Sequence, residues 1–185
     1  LAQDSVEHIW NSNYYKKIRQ DMLDDKLPSA CKVCYKEDAA GKRSMRIKEL
    51  EIWNNSDTLN TALESTTDGN VSVLPTYLDF RMGNLCNLKC RTCDPVSSSQ
   101  IHKEGSSLTD MPKFFQNSMQ TANGMTEWWT TQEFKQGLQR LLPTAELVWL
   151  SGGEPTLVPE GQALIQTLID SGRAKDTKLR YVINL

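Results

Sequence analysis

Three short strand-like runs constrain this chain more than any other feature. They are "TYLDFRM" at 76–82, "ELVWL" at 146–150 and "KLRYVINL" at 178–185. The first alternates apolar with polar, and the second is nearly continuous, as expected of a strand buried on both faces. Between the first two, "TEWWTTQEFKQGLQRLL" carries Trp128, Phe134, Leu138, Leu141 and Leu142 as one helical face, and Pro143 ends it. Between the last two, Leu164, Ile165, Leu168 and Ile169 form a second stripe that stops at Gly172, a C-cap residue. Strand, helix, strand, helix, strand is the order of an α/β fold with a parallel sheet and helical crossovers. Such sheets bind ligands beyond the carboxyl ends of their strands. Residues 96–124, rich in Ser, Gln, Asn and Gly, give no firm assignment.

The N-terminal part follows a different rhythm. Val6, Ile9, Trp10, Tyr14, Ile18 and Met22 recur at helical steps, predicting one amphipathic helix that Pro28 ends. "SACKVCYKE" then reads as a loop holding Cys31 and Cys34, and residues 35–53 as charged and partly helical. "NNSDTLNTALESTTDGN", 54–70, is polar and turn-rich and reads as a linker. The expected organisation is therefore an N-terminal helical segment with its linker, 1–70, and an α/β domain, 71–185.

Of the 185 residues, 38% are hydrophobic and 24% charged, enough apolar mass for a core, and the net charge is −2. No basic block points to nucleic acid, and no apolar run approaches the ~18 residues of a membrane span. The chain starts with Leu1, and "LAQDSVEHIW" lacks the profile of a signal peptide, so we read the start as internal to a longer product. An odd number of cysteines, five, argues for a reducing, cytoplasmic setting in which clustered thiols bind metal. The sequons at Asn54 and Asn70 are then chance matches.

Two motifs carry chemistry. Cys86, Cys90 and Cys93 form C-x3-C-x2-C immediately after the first strand. Structural zinc needs four ligands in a closed tetrahedron, which Cys31 and Cys34 or His102 would have to complete. An iron–sulfur cluster held by three thiolates instead leaves one iron open to a substrate or cofactor. The second motif, Gly152-Gly153-Glu154-Pro155, follows the second strand: two glycines that permit close backbone approach, one carboxylate and a fixed turn. Glu154 can alternatively cap the next helix. Both motifs belong at the same end of the sheet.

Together, in this order and on these elements, the two motifs resemble the radical S-adenosylmethionine (radical SAM) superfamily over residues 76–185. The resemblance implies a partial (β/α)6 TIM-like barrel, here truncated after about three βα units. It implies that Cys86, Cys90 and Cys93 hold three irons of a 4Fe–4S cluster, and that SAM chelates the fourth. Gly152, Gly153, Glu154 and Pro155 would contact the methionyl group, and Asn184 would offer a polar contact to SAM. The implied reaction is reductive cleavage of SAM to a 5′-deoxyadenosyl radical that abstracts hydrogen, with flavodoxin or ferredoxin as electron donor. Three departures stand out: Thr92 replaces the usual aromatic residue before the third cysteine, Ile183-Asn184-Leu185 lacks the usual threonine, and three further strands are absent. The chain therefore reads as a fragment. The N-terminal pattern of helix, Pro28, Cys31-x2-Cys34 and Ser44-x-Arg46 resembles radical SAM proteins with a twitch domain. That implies half of an auxiliary iron–sulfur site at Cys31 and Cys34 and a peptide or protein substrate; a zinc pair or two reduced thiols remain open.

Other residues read more plainly. His8 belongs to a helix face, and His102 to a surface loop. Trp128 and Trp129 are core aromatics or an adenine platform. Asp79 and Arg81 are solvated or substrate-facing, and Lys89 and Arg91 offset cluster charge or dock a donor. Ser97, Ser98 and Ser99 are candidate helix caps. Two other functions stay open on the residues: a zinc-stabilised, non-catalytic binding module and a truncated, inactive radical SAM relative.

Overall fold

The computed structural model describes residues 6–54 and 56–184. Residues 1–5, Asn55 and Leu185 lie outside them, and with these the start of the chain, the middle of the first sequon and the end of the third predicted strand. The chain divides into two compact units at Leu74/Pro75.

The N-terminal unit is helical: α1 Val6–Trp10, α2 Asn13–Leu23, α3 Lys32–Ala39, α4 Met45–Trp53 and α5 Asp57–Ser65. The single helix expected over 6–22 is broken at Asn11 and Ser12. The Asn11 side chain explains the break, because its amide brackets the Val71 backbone, donating to the carbonyl at 2.9 Å and accepting from the N–H at 3.0 Å. Trp10 adds an indole N–H to the Val73 carbonyl at 3.0 Å. Arg19 lies over the Trp10 ring, 4.3 Å from its centroid, and donates to the Trp10 and Gly69 carbonyls. These bonds carry the unit to Leu74, past the boundary expected at 70/71.

The expected linker is also structured. Ser56 caps α5 by accepting the Leu59 N–H at 3.0 Å. After α5, Thr67 and Asn70 exchange backbone hydrogen bonds across Asp68 and Gly69, both with positive φ, so Asp-Gly serves here as a tight turn. The polar composition concealed a capped helix and a turn. "SACKVCYKE" differs from expectation too: Ser29–Cys31 is a 3₁₀ turn that runs directly into α3, so it is helical rather than a loop.

The C-terminal unit is α/β. Strands β1 Tyr77–Arg81, β2 Leu147–Ser151 and β3 Lys178–Tyr181 form a parallel sheet in the order β1-β2-β3. Its alternation follows the sequence. Leu78 and Phe80 of β1 are buried while Asp79 and Arg81 are exposed. Helices α6 Ser99–Gly105, α7 Lys113–Asn123 and α8 Gln132–Leu141 join β1 to β2, and α9 Pro159–Asp170 joins β2 to β3. The core gathers Leu78, Phe80, Val148 and Leu150 with Leu138, Leu141, Leu142, Leu164 and Leu168. Each such side chain contributes about 1.5–3 kcal/mol on burial. Phe134 of α8 meets Phe80 edge-on, with ring centroids 5.7 Å apart. Gly172 stops α9 in the left-handed conformation at φ 71°, with its N–H on the Ile169 carbonyl. The segment without a firm assignment contains α6 and α7. The predicted helix over 126–142 starts as a 3₁₀ turn, Trp128–Thr130, before Thr131 caps α8.

The register sets the site. Arg81 pairs with Ser151, and Leu150 with Tyr181. The chain therefore leaves β1 toward the cysteines, β2 toward Gly152 and β3 toward Asn184 at one end of the sheet.

Candidate functional site

The cysteine loop has a tied neck. After β1, Gly83 turns at φ +74°, and a Cβ there would stand 2.8 Å from the Trp129 ring. Trp129 is buried in the core, and half-buried Trp128 meets Phe134 edge-on. Asn84 closes the neck: its side chain donates to the Pro95 carbonyl at 2.8 Å, and its carbonyl accepts the Ser99 N–H at 2.6 Å. The Ser99 hydroxyl accepts the Cys86 N–H at 3.1 Å and donates to the Cys86 carbonyl at 3.3 Å. Fully buried Ser98 donates to the Leu88 carbonyl at 2.8 Å while capping α6 at the Ile101 N–H. Ser98 thus caps the helix and holds the loop at once, and Ser99 holds the loop alone; the capping pattern was legible, and the clamp was not.

Within this frame the three thiols differ. Cys86 is buried, whereas Cys90 and Cys93 are exposed. A backbone turn joins the latter two, with the Cys93 N–H on the Cys90 carbonyl at 3.0 Å. Burial pushes the Cys93 thiol up, and neighbouring Cys90, Cys86 and Asp94 push it further. A bound cation would instead favour the Cys93 thiolate. Among the described residues, no group of three or more His, Cys, Asp or Glu is arranged around a single metal ion. In a cluster each thiolate takes a different iron, so its ligands stand further apart than those of one ion. The donor set, three soft thiols with two open to solvent, fits an iron–sulfur cluster. His102 instead bonds Asn123 through Nε2 at 2.8 Å at the surface.

The Gly152-Gly153 turn presses on the same neck. A Cβ on Gly153 would stand 2.2 Å from the Leu85 carbonyl oxygen, and one on Gly152, at φ +123°, would stand 2.7 Å from that of Gly83. Gly153 N–H donates to Gly83 O at 3.2 Å, and Glu154 N–H donates to Leu85 O at 2.7 Å. The chain that approaches these glycines is the neck of the cysteine loop. Pro155 is buried and opens a 3₁₀ turn over Pro155–Leu157.

Glu154, 3% exposed, has both oxygens engaged. Oε1 accepts the Thr156 N–H at 3.1 Å and hydroxyl at 2.6 Å, and Oε2 accepts the Asn184 N–H at 2.6 Å. Burial pushes its carboxyl up, but the bonds from Thr156 and Asn184 outweigh this and hold it below the usual carboxylate range. The helix-capping alternative is met by the Thr156 bond; the bond to Asn184, thirty positions away, had no sequence signal. The Asn184 side chain reaches Cys86 Sγ at 3.5 Å and Asn87 Oδ1 at 3.1 Å.

The remaining candidates are placed as follows. Asp79 and Arg81 form an exposed pair at 3.4 Å, and Lys89 pairs with Glu104 at 3.3 Å. Cys31 and Cys34 lie one helical turn apart at the start of α3, both half-buried, in the N-terminal unit. A cavity of about 400 Å³ borders Gly83, Asn84 and Leu85, and none of the three loop cysteines lines it. No protein-family model, no curated protein and no solved structure matches the chain.

Proposed function

We propose that this chain belongs to a radical SAM enzyme of the twitch/SPASM type and supplies the first βα units of its partial (β/α)6 barrel. The observation that carries the reading is the junction of three loops at one end of the parallel sheet. There the neck of the cysteine loop after β1 meets the Gly152-Gly153-Glu154-Pro155 turn after β2, and Cys86 and Glu154 both meet Asn184 after β3. Cys86, Cys90 and Cys93 would hold a 4Fe–4S cluster, and the Gly152–Pro155 turn with Asn184 would face SAM. When bound and reduced by the external donor, the cluster would pass one electron to the sulfonium of SAM, breaking the C5′–S bond to release methionine and a 5′-deoxyadenosyl radical for hydrogen abstraction. The protein's own part is to fix the loop, keep Cys86 dry and leave Cys90 and Cys93 open. Cys31 and Cys34 would contribute to an auxiliary cluster, with a flavodoxin or ferredoxin as donor, a peptide or protein as substrate and the cytoplasm as location. No helix among the described residues is long and apolar enough to cross a membrane.

The test is product analysis. Anaerobically reconstituted, dithionite-reduced protein should convert SAM to methionine and 5′-deoxyadenosine. A colourless protein holding one tight zinc and leaving SAM intact would move the reading to a zinc-stabilised binding module. A cluster that forms without SAM turnover would indicate an inactive relative.

A further inference from the structure

Cys86 differs from its two neighbours in what reaches its sulfur. Its Sγ accepts the Leu88 backbone N–H at 3.4 Å and the Asn184 side-chain N–H at 3.5 Å. Among the described residues no N–H reaches the sulfur of Cys90 or Cys93. The donor from Asn184 comes from far along the chain, 98 positions away, so something must fix it. Glu154 does so. One of its oxygens is anchored by Thr156, and the other takes the Asn184 N–H at 2.6 Å, the shorter of the two backbone bonds it accepts. Asn87 Oδ1 accepts the same Asn184 amide at 3.1 Å, which fixes the direction in which it points.

We propose that Asn184 is a positioning residue that donates to the Cys86 sulfur and makes the cluster held there easier to reduce, and that Glu154 acts through Asn184. This rests on the cluster assignment above. A donor aimed at a ligating sulfur draws off negative charge, which favours the more negative, reduced state of the cluster. Glu154 then serves the centre from beneath, as the bolt between the turn after β2 and the end of β3.

The experiment is an EPR-monitored redox titration of the reconstituted protein, alongside Asn184→Ala, Glu154→Gln and the double variant. Glu154→Gln keeps the shape but turns one acceptor into a donor, so it removes a bond without emptying the site. Asn184→Ala should keep its iron while the equilibrium constant for one-electron reduction falls about three- to tenfold, where tenfold is ~59 mV. Glu154→Gln should shift in the same direction, and the double variant no further than the larger single effect. An unchanged midpoint in Asn184→Ala with full iron, or additive shifts, overturns the proposal. In metal-free protein, amide exchange at Asn184 should be slow in the wild type and in Asn184→Ala and fast in Glu154→Gln. Equal exchange in all three would remove Glu154 from the account even with the cluster assignment intact. Wild-type protein that binds no cluster would fail the assignment itself, and the redox role of Asn184 with it.

Discussion

Cys31 and Cys34 sit one turn apart at the start of a helix, whereas Cys86, Cys90 and Cys93 sit in a loop tied at several points. The helical pair depends on local backbone bonds, such as the Cys31 N–H on the Pro28 carbonyl at 2.9 Å, and among the described residues no N–H donor reaches either sulfur. The loop draws on residues from three strand ends and one helix N-terminus: Asn84, Ser98, Ser99, Glu154 and Asn184. Helical spacing places two thiols on one face without further support. Three thiols in a loop need their backbone groups satisfied from outside, and the folded unit supplies those partners. The difference marks the loop as held from several elements and the pair as held by its own helix.

The largest expected effect separates the two groups outright. Replacing Cys86, Cys90 and Cys93 together by alanine should abolish SAM-responsive iron. The Cys31→Ala, Cys34→Ala double variant should retain it, as read by iron analysis and visible absorbance. Loss of the SAM-responsive signal in that double variant would break the comparison. Next comes backbone crowding. Gly153→Ala must displace the Leu85 carbonyl and should cost about 3 kcal/mol in urea unfolding. Gly41→Ala in the N-terminal unit has φ +71° but nothing within 4 Å, and should cost only about 1 kcal/mol from conformation alone. Equal costs would mean that the turn after β2 is not tightly seated. Ser98→Ala, which strips a buried clamp and a cap together, should cost about 1–2 kcal/mol and loosen the cysteine loop in hydrogen exchange.

The smallest effect is acid sensitivity. Glu154 is held below its usual range when folded, so its contribution is complete above the ordinary carboxylate value of 4.5 and is lost as pH falls through the lowered one. Acid titration of stability should therefore lose this component in Glu154→Gln. An unchanged acid limb would show that the carboxylate is not the brace.

The strand cores and both motifs were legible because short-range pattern determines them, although the third strand, expected over 178–185, ends at Tyr181. The alternation of Leu78, Asp79, Phe80 and Arg81 shows directly as burial. Gly172 is a second such case, because only its own backbone conformation is at issue. The helix break at Asn11 was not legible, since its cause is a bond to Val71 from sixty positions away. Helix α5 was misread through composition, although Ser56 followed by Leu59, Ala62 and Leu63 carries both a cap and an apolar stripe. At the site, the residue types were readable and their partners within the chain were not. The glycines, read for a ligand's approach, also receive the neck of the loop, and Glu154, read for a cofactor, also engages Thr156 and Asn184. Long-range polar bonds of this kind leave no periodicity in a single sequence.

The most direct test of the central claim is EPR of the anaerobically reconstituted, dithionite-reduced protein, recorded with and without SAM. A 4Fe–4S signal that changes on adding SAM is the expected result, because three thiolates leave one iron open. A 4Fe–4S signal indifferent to SAM, or no iron signal beside one bound zinc, would contradict it.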